Sequence, residues 1–385
     1  MESAVGIVAL IVAGGIISLE LGISTAILEI VAGVVGSNFL HLHDIPWLDF
    51  LANFGLLGIM FFAGFETDVN IIRRYLSHSL AIALASFLTP FISTFILAYY
   101  ILGLSTIGSL LVGIGMSTTS LALVFPYLKG EGLLDRNEGQ ALLAAAMFVD
   151  VFSMVSLSLL ASGFDTYSIG FLVMLVPAFF VLPHVGHWLF DRYEENAVEL
   201  ELRFILLCLV ALSFLSEHAG IHAAILAYAS GIVLARLFVG REELEQKLRG
   251  ITFGFLGPVF FFNAGYRMNL TAVTFGTIEA FLALTVVAFS AKYVGTRWSV
   301  KRILGRGSRL SGLFFNFRLS FGIVTALLGF ELGFIDQTIY TALLGTILAT
   351  SIISSFFLKI TPTETFYFPG PRWFGKQKRY NLSDK

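Results

Sequence analysis

The run LLAAAMFVDVFSMVSLSLL, residues Leu142–Leu160, is apolar except for hydroxyls and one carboxylate, Asp150, close to its middle. Rising about 1.5 Å per residue as a helix, it spans the ~30 Å hydrocarbon core of a bilayer and carries Asp150 near the midplane. An acid at that depth costs roughly 2.5–3.5 kcal/mol even on insertion scales. Its presence marks a site and calls for partners elsewhere in the chain.

Hydrophobic residues fill 57% of the 385 positions, and charged residues only 13%, against about 25% in soluble domains. With a mean hydropathy of +0.85, the expected class is an all-α polytopic membrane protein. The 37 glycines sit within apolar stretches, where helices of a membrane bundle pack closely. A lone cysteine, Cys208, excludes a disulfide framework or a thiolate metal centre. The histidines, such as His41, His43, His184, His187, His218 and His222, form no metal-binding spacing. No nucleophile triad, phosphate loop or nucleic-acid motif is present, so neither an enzyme, a cofactor nor a nucleic-acid partner is expected. The opening MESAVGIVALIVAGGI lacks a basic n-region and reads as a span.

Apolar runs separated by charged or Gly/Pro-rich breaks predict about 13 spans, near 4–19, 22–40, 48–66, 79–102, 106–128, 139–162, 168–187, 202–217, 220–237, 251–266, 273–297, 310–330 and 336–358. In that scheme 21 of the 24 Lys and Arg residues fall in odd-numbered loops, at the span ends bordering them, or in the C-terminal tail, and even-numbered loops hold Arg267 alone. The positive-inside rule then places the N-terminus outside and the C-terminus in the cytoplasm. Two basic residues remain inside spans, Lys292 and Arg318. They are candidate partners of Asp150.

An internal repeat aligns GISTAILEIVAGVV from Gly22 with GIHAAILAYASGIV from Gly220, and FGLLGIMFFAG from Phe54 with FGFLGPVFFFNAG from Phe253. The copies lie seven spans apart, an odd number, so they are inverted in the membrane. Inverted repeats with a midplane ion site characterise alternating-access transporters. At the same offset, MSTTSLALVF in the fifth span faces NFRLSFGIVTA in the twelfth. Ser117, Thr118, Thr119 and Ser120 in one, and Asn316, Arg318 and Ser320 in the other, predict two crossed broken helices. Unwound backbone would expose carbonyls to a cation and leave facing half-helix dipoles. The alternative is intact helices whose hydroxyls bond back one turn.

The stretches FGLLGIMFFAGFETDVN (from Phe54), STTSLALVFPYLKGEGLLDRNEGQALLAAAMFVD (Ser117–Asp150), AILAYASGIVLA (from Ala224), GFLGPVFFFNAGYRMNL (from Gly254) and FSAKYVGTRW (from Phe289) resemble the monovalent cation:proton antiporter-2 family. That family includes sodium/proton antiporters and the membrane domains of potassium-efflux systems. The resemblance covers nearly the whole chain and implies the sodium/proton antiporter fold, a homodimer in the plasma (inner) membrane of a prokaryote. Dimerisation helices are then expected in 1–78 and 202–272, core ion-transport helices in 79–167 and 273–358, a linker helix and loop in 168–201, and a cytoplasmic tail in 359–385. That tail is too short for a nucleotide-binding regulatory domain.

The resemblance puts the transported cation, Na+ or K+, on Asp150, the second position of a paired-acid motif whose first position here is Val149. A single carboxylate holds one proton or one cation, so the expected exchange is electroneutral, one for one. Thr118, Thr119 and Ser153 are candidate oxygen ligands, and Lys292 and Arg318 charge-compensating residues. Ser153 also fits simple packing. Lys292, five residues before Arg297, also fits a side chain snorkelling to the inner surface. Asp150 also fits a structural acid paired with Arg318. Glu66, Asp68, Ser120 and Asn316 are candidate pathway residues. Competing functions are a solute/cation symporter of the same general fold and a cation-efflux subunit gated by a separate partner.

Overall fold

The computed structural model describes residues 2–21, 24–42, 46–67, 69–134, 136–162, 181–193, 199–219, 223–238, 241–305 and 307–361. Long apolar runs form the first helices, α1 (Glu2–Leu21), α2 (Thr25–Asn38), which buries one carboxylate at Glu29, and α3 (Pro46–Phe65), with Asp49 in its first turn. A short α4 (Val69–Arg74) leads into α5 (Leu76–Ile96), which a π turn prolongs to Ile101. The fifth apolar run folds as two halves, α6 (Thr106–Ser117) and α7 (Leu121–Gly130), and Asp150 lies midway along α8 (Asn137–Ser162).

Residues 181–192 form α9, followed by α10 (Leu200–Ala219), α11 (Ala223–Leu234) and α12 (Glu242–Ile251). A π turn at Thr252–Leu256 enters α13 (Gly257–Tyr266). The last run comprises the 29-residue α14 (Phe275–Ile303), a second pair of halves, α15 (Ser308–Phe314) and α16 (Leu319–Glu331), and α17 (Gln337–Ile360). Among the described residues, seven helical stretches are individually long and apolar enough to cross a membrane. Of the seventh expected span, 168–180 lies outside the described residues, as does most of the tail; 181–187 is helical. The loop expected before the tenth span contains α12, where Leu244 and Leu248, one turn apart, are buried and the first turn is acidic.

The helices sort into two groups by packing. α2 and α3 pack against α13 and α11, with α1 and α10 flanking them; α5, α6, α8, α14, α15, α16 and α17 pack among themselves. Glycine sets the first group. A Cβ on Gly33 would overlap the Phe262 carbonyl oxygen, and one on Gly265 that of Ile30. Across the group, Gly231 meets the Phe61 carbonyl and Gly64 that of Tyr228 in the same way. These four contacts are related by the repeat alignment, Gly33 to Gly231, Gly64 to Gly265, Phe61 to Phe262 and Ile30 to Tyr228. Two matching seams of backbone on backbone result. In the second group Gly113 against Phe91 and Gly312 against Tyr293 repeat the same theme with ring and carbonyl.

Gly64→Val is expected to destabilise the protein by more than the about 1–3 kcal/mol of ordinary overpacking, because backbone, not a mobile side chain, blocks the added atoms. Gly15→Ala, with nothing within 4 Å of its Cβ position, is the control that should melt as the parent does. Thermal melting of the detergent-purified proteins, followed by size exclusion, measures both.

Candidate ion site at the crossing of two broken helices

α6 stops because Thr118 turns to extended backbone (φ −61, ψ 159), and the chain resumes as helix only after Ser120 (φ −95, ψ 109). Its counterpart unwinds after Phe314, and Arg318 (φ −126, ψ 14) begins α16. The two breaks touch. The Ser120 amide donates to the Phe317 carbonyl at 2.7 Å, the Thr119 hydroxyl to Phe315 O at 3.2 Å, and the Ser120 and Ser320 hydroxyls share a 2.7 Å hydrogen bond. These hydroxyls bridge two segments about 200 residues apart in sequence; Ser117 and Thr118, in contrast, bond back to Gly113 O and Gly115 O.

A helix C-terminus carries roughly −0.5 charge in unsatisfied carbonyls. Cations from two other elements meet the end of α6. Lys292 Nζ donates to Ser117 O and, at 3.1 Å, to Thr118 O. Arg318 donates from Nε to Met116 O (2.8 Å) and from one terminal nitrogen to Ala288 O and Asn316 Oδ1, both at 2.9 Å. Asn316 in turn donates to Gly312 O at 2.8 Å. Lys292, Arg318, Asn316, Thr118 and Thr119 are all fully buried. Burial rules out the snorkelling alternative for Lys292: α14 runs on to Ile303, so the ammonium's attachment point lies about 16 Å from that helix end at 1.5 Å per residue.

Asp150 approaches this crossing from α8, which packs against both α6 and α16. Its side chain is 1% exposed, and Oδ1 has no hydrogen-bond partner among the described residues. Arg318 spends its donors on carbonyls and one amide instead of on a carboxylate, which removes the structural pairing of Asp150 with Arg318. A carboxyl oxygen with no protein donor among the described residues, on a helix packed against two breaks that carry carbonyls and hydroxyls, offers a donor set suited to a hard monovalent cation or a proton.

Ser153, one turn further along α8, is buried and donates to Val149 O at 2.8 Å, the geometry of a packing serine with lone pairs still free. Glu66 lies just past α3, where Arg249 holds it at 3.2 Å; Arg249 also pairs with Glu245 at 2.8 Å and stacks over the Phe62 ring at 4.8 Å. Asp68 lies outside the described residues. Tyr228 was not among the residues singled out by sequence. Its hydroxyl is 3.2 Å from that of Thr67, and its ring meets Phe321 of α16 edge-on. The available signal was the repeat itself, which pairs Tyr228 with the apolar Ile30.

The family described as "Sodium/hydrogen exchanger, transmembrane" matches residues 6–362. The chain is 26% identical to the probable Na+/H+ antiporter 3 of Methanocaldococcus jannaschii, covering 88% of each protein. It is 27% identical to the Na+/H+-K+ antiporter GerN of Bacillus cereus, covering 90% of this chain and 92% of that one. Its fold is similar to that of the sodium proton antiporter MjNhaP1 from M. jannaschii, with a TM-score of 0.64 at 16% identity over 93% of this chain and 97% of the other.

Proposed function

Because this chain belongs to the transmembrane sodium/hydrogen exchanger family, we propose that it exchanges a monovalent cation, Na+ or K+, for a proton at Asp150. The observation that carries the proposal is the buried carboxylate oxygen with no hydrogen-bond partner among the described residues, on a helix that packs against both broken helices. Thr118 and Thr119 would line the cation, with Ser153 at one edge, while Lys292 and Arg318 neutralise the carbonyl ends and Asn316 and Ser120 hold the crossing. Glu66 would stand on the inner approach; Asp68, next to it in sequence, is proposed for the same approach.

The group containing α5–α8 and α14–α17 would act as the mobile core and carry Asp150 past the scaffold of α1–α3 and α10–α13, which would also form a homodimer. The Lys/Arg bias favours an external N-terminus and a cytoplasmic C-terminus in a prokaryotic plasma membrane. Val149, buried beside Asp150, supplies no second acid. Protonated and cation-loaded sites then carry the same charge, which makes exchange electroneutral.

The purified protein in proteoliposomes with a trapped pH dye tests this. Addition of Na+ or K+ should dissipate an imposed pH gradient, and silence with every alkali cation overturns the proposal. With the potential clamped, the equilibrium cation ratio should stay fixed. One net charge per cycle would instead move it about 50-fold per 100 mV.

A further inference from the structure

The scaffold helices α3 and the α12–α13 segment are antiparallel neighbours with an ion pair at each end. At one end Asp49 of α3 meets Arg267, just past α13, at 2.8 Å; at the other Glu66 meets Arg249 at 3.2 Å. In the repeat alignment Glu66 is the mate of Arg267, and Arg249 stands one position from the mate of Asp49, so the two pairs correspond approximately with their charges reversed. They differ in what else they hold. Arg249 takes its second acid, Glu245, from its own scaffold helix. Arg267 takes its second acid, Glu331, from the far end of α16, at 3.5 Å.

α16 is the half-helix that begins at Arg318, beside the ion site. Arg267 therefore ties the site's own helix to the scaffold. Two further bonds cross at the same level, both from α17: Gln337 Nε2 donates to Arg267 O at 2.7 Å, and the Tyr340 hydroxyl to Ala264 O at 2.6 Å. We propose that Arg267 and Glu331 form a latch that holds the outer mouth shut in this conformation and must open each time the core carries Asp150 outward.

The latch rests on the alternating-access proposal above, with Arg267 and Glu331 as positioning residues remote from the cargo. Both are partly exposed, at 26% and 31%, as a pair that must open to water requires. Removing it should not damage the site. It should shift the balance between inward-open and outward-open forms, which appears as opposite changes in cation affinity on the two sides.

Two measurements test this in proteoliposomes of known orientation. Glu331→Gln keeps the volume and the Arg267–Asp49 pair. It should lower the ratio of external to internal Na+ KM by about two- to fivefold, the range of a partly exposed ion pair, while Glu331→Asp restores it. An unchanged ratio overturns the latch. In a Cys208→Ala background, Arg267→Cys with Glu331→Cys bridged by a short bis-thiosulfonate should lose exchange at least tenfold and regain it on reduction. The same bridge between Asp49→Cys and Arg267→Cys, wholly within the scaffold, should leave exchange running. Full activity of the bridged Arg267→Cys/Glu331→Cys protein overturns the latch. Exchange measured before bridging establishes antiport separately, so the two failures are distinguishable.

Discussion

Asp150→Asn is expected to reduce cation-driven proton movement to the proteoliposome background, a loss of about 100-fold or more, while the protein folds as well as the parent or better. The amide has the same shape but takes neither the proton nor the charge that a cation needs beside two buried basic groups. Stability should survive because Oδ1 of Asp150 has no hydrogen-bond partner among the described residues to lose, and an ionisable group in the membrane interior is itself costly. A structural acid would behave the opposite way, with melting lowered in step with activity. The check is a paired measurement of dequenching and thermal melting. Parent protein should also gain stability with added Na+ through cargo binding, and Asp150→Asn should not. Exchange retained in the variant would refute the assignment of Asp150.

Arg318→Leu is expected to give the largest loss of folded protein. The guanidinium satisfies carbonyls of Met116, Ala288 and Asn316 and the Asn316 side chain, from three different elements, in a fully buried position. Each buried polar group left without its partner costs about 1–3 kcal/mol, and several are orphaned together. Arg318→Lys should recover only part, since an ammonium supplies three donors from one point and lacks the planar fork that reaches Met116 O and Ala288 O at once. Yield of monodisperse protein and its melting temperature measure the series. A leucine variant as stable as the parent would show that the carbonyl contacts do not hold the crossing.

Much of this was legible in the sequence because the signals were periodic or costly. Asp150 stood out as a charge in an apolar run, and the breaks at Ser117–Ser120 and Asn316–Arg318 stood out because polar residues interrupted two spans at the repeat offset. The carbonyl partners were not legible. Met116, Ser117, Thr118 and Ala288 act through backbone oxygens, which every residue type carries. The snorkelling alternative for Lys292 rested on taking Arg297 as the end of its span; the helix continues through Arg297, Lys301 and Arg302 to Ile303, and only tertiary packing of α14 against α5 and α17 reveals that depth. Ser153 and Glu66 were named from the sequence, but their partners, and the place of Tyr228, depended on which face of a helix meets which neighbour, information that hydropathy does not contain.

At Gly33, Gly265, Gly231 and Gly64 backbone lies against backbone, so at those four points no side chain stands between α2 and α13 or between α3 and α11 to rearrange. Close-packed backbone has little free volume to lose, so these two helix pairs should yield least to compression. Hydrostatic pressure or lateral tension from the surrounding lipid then has little to squeeze there. The strain passes to the boundary between the two helix groups, where ring edges such as Tyr228 on Phe321 and a few hydrogen bonds make the contact.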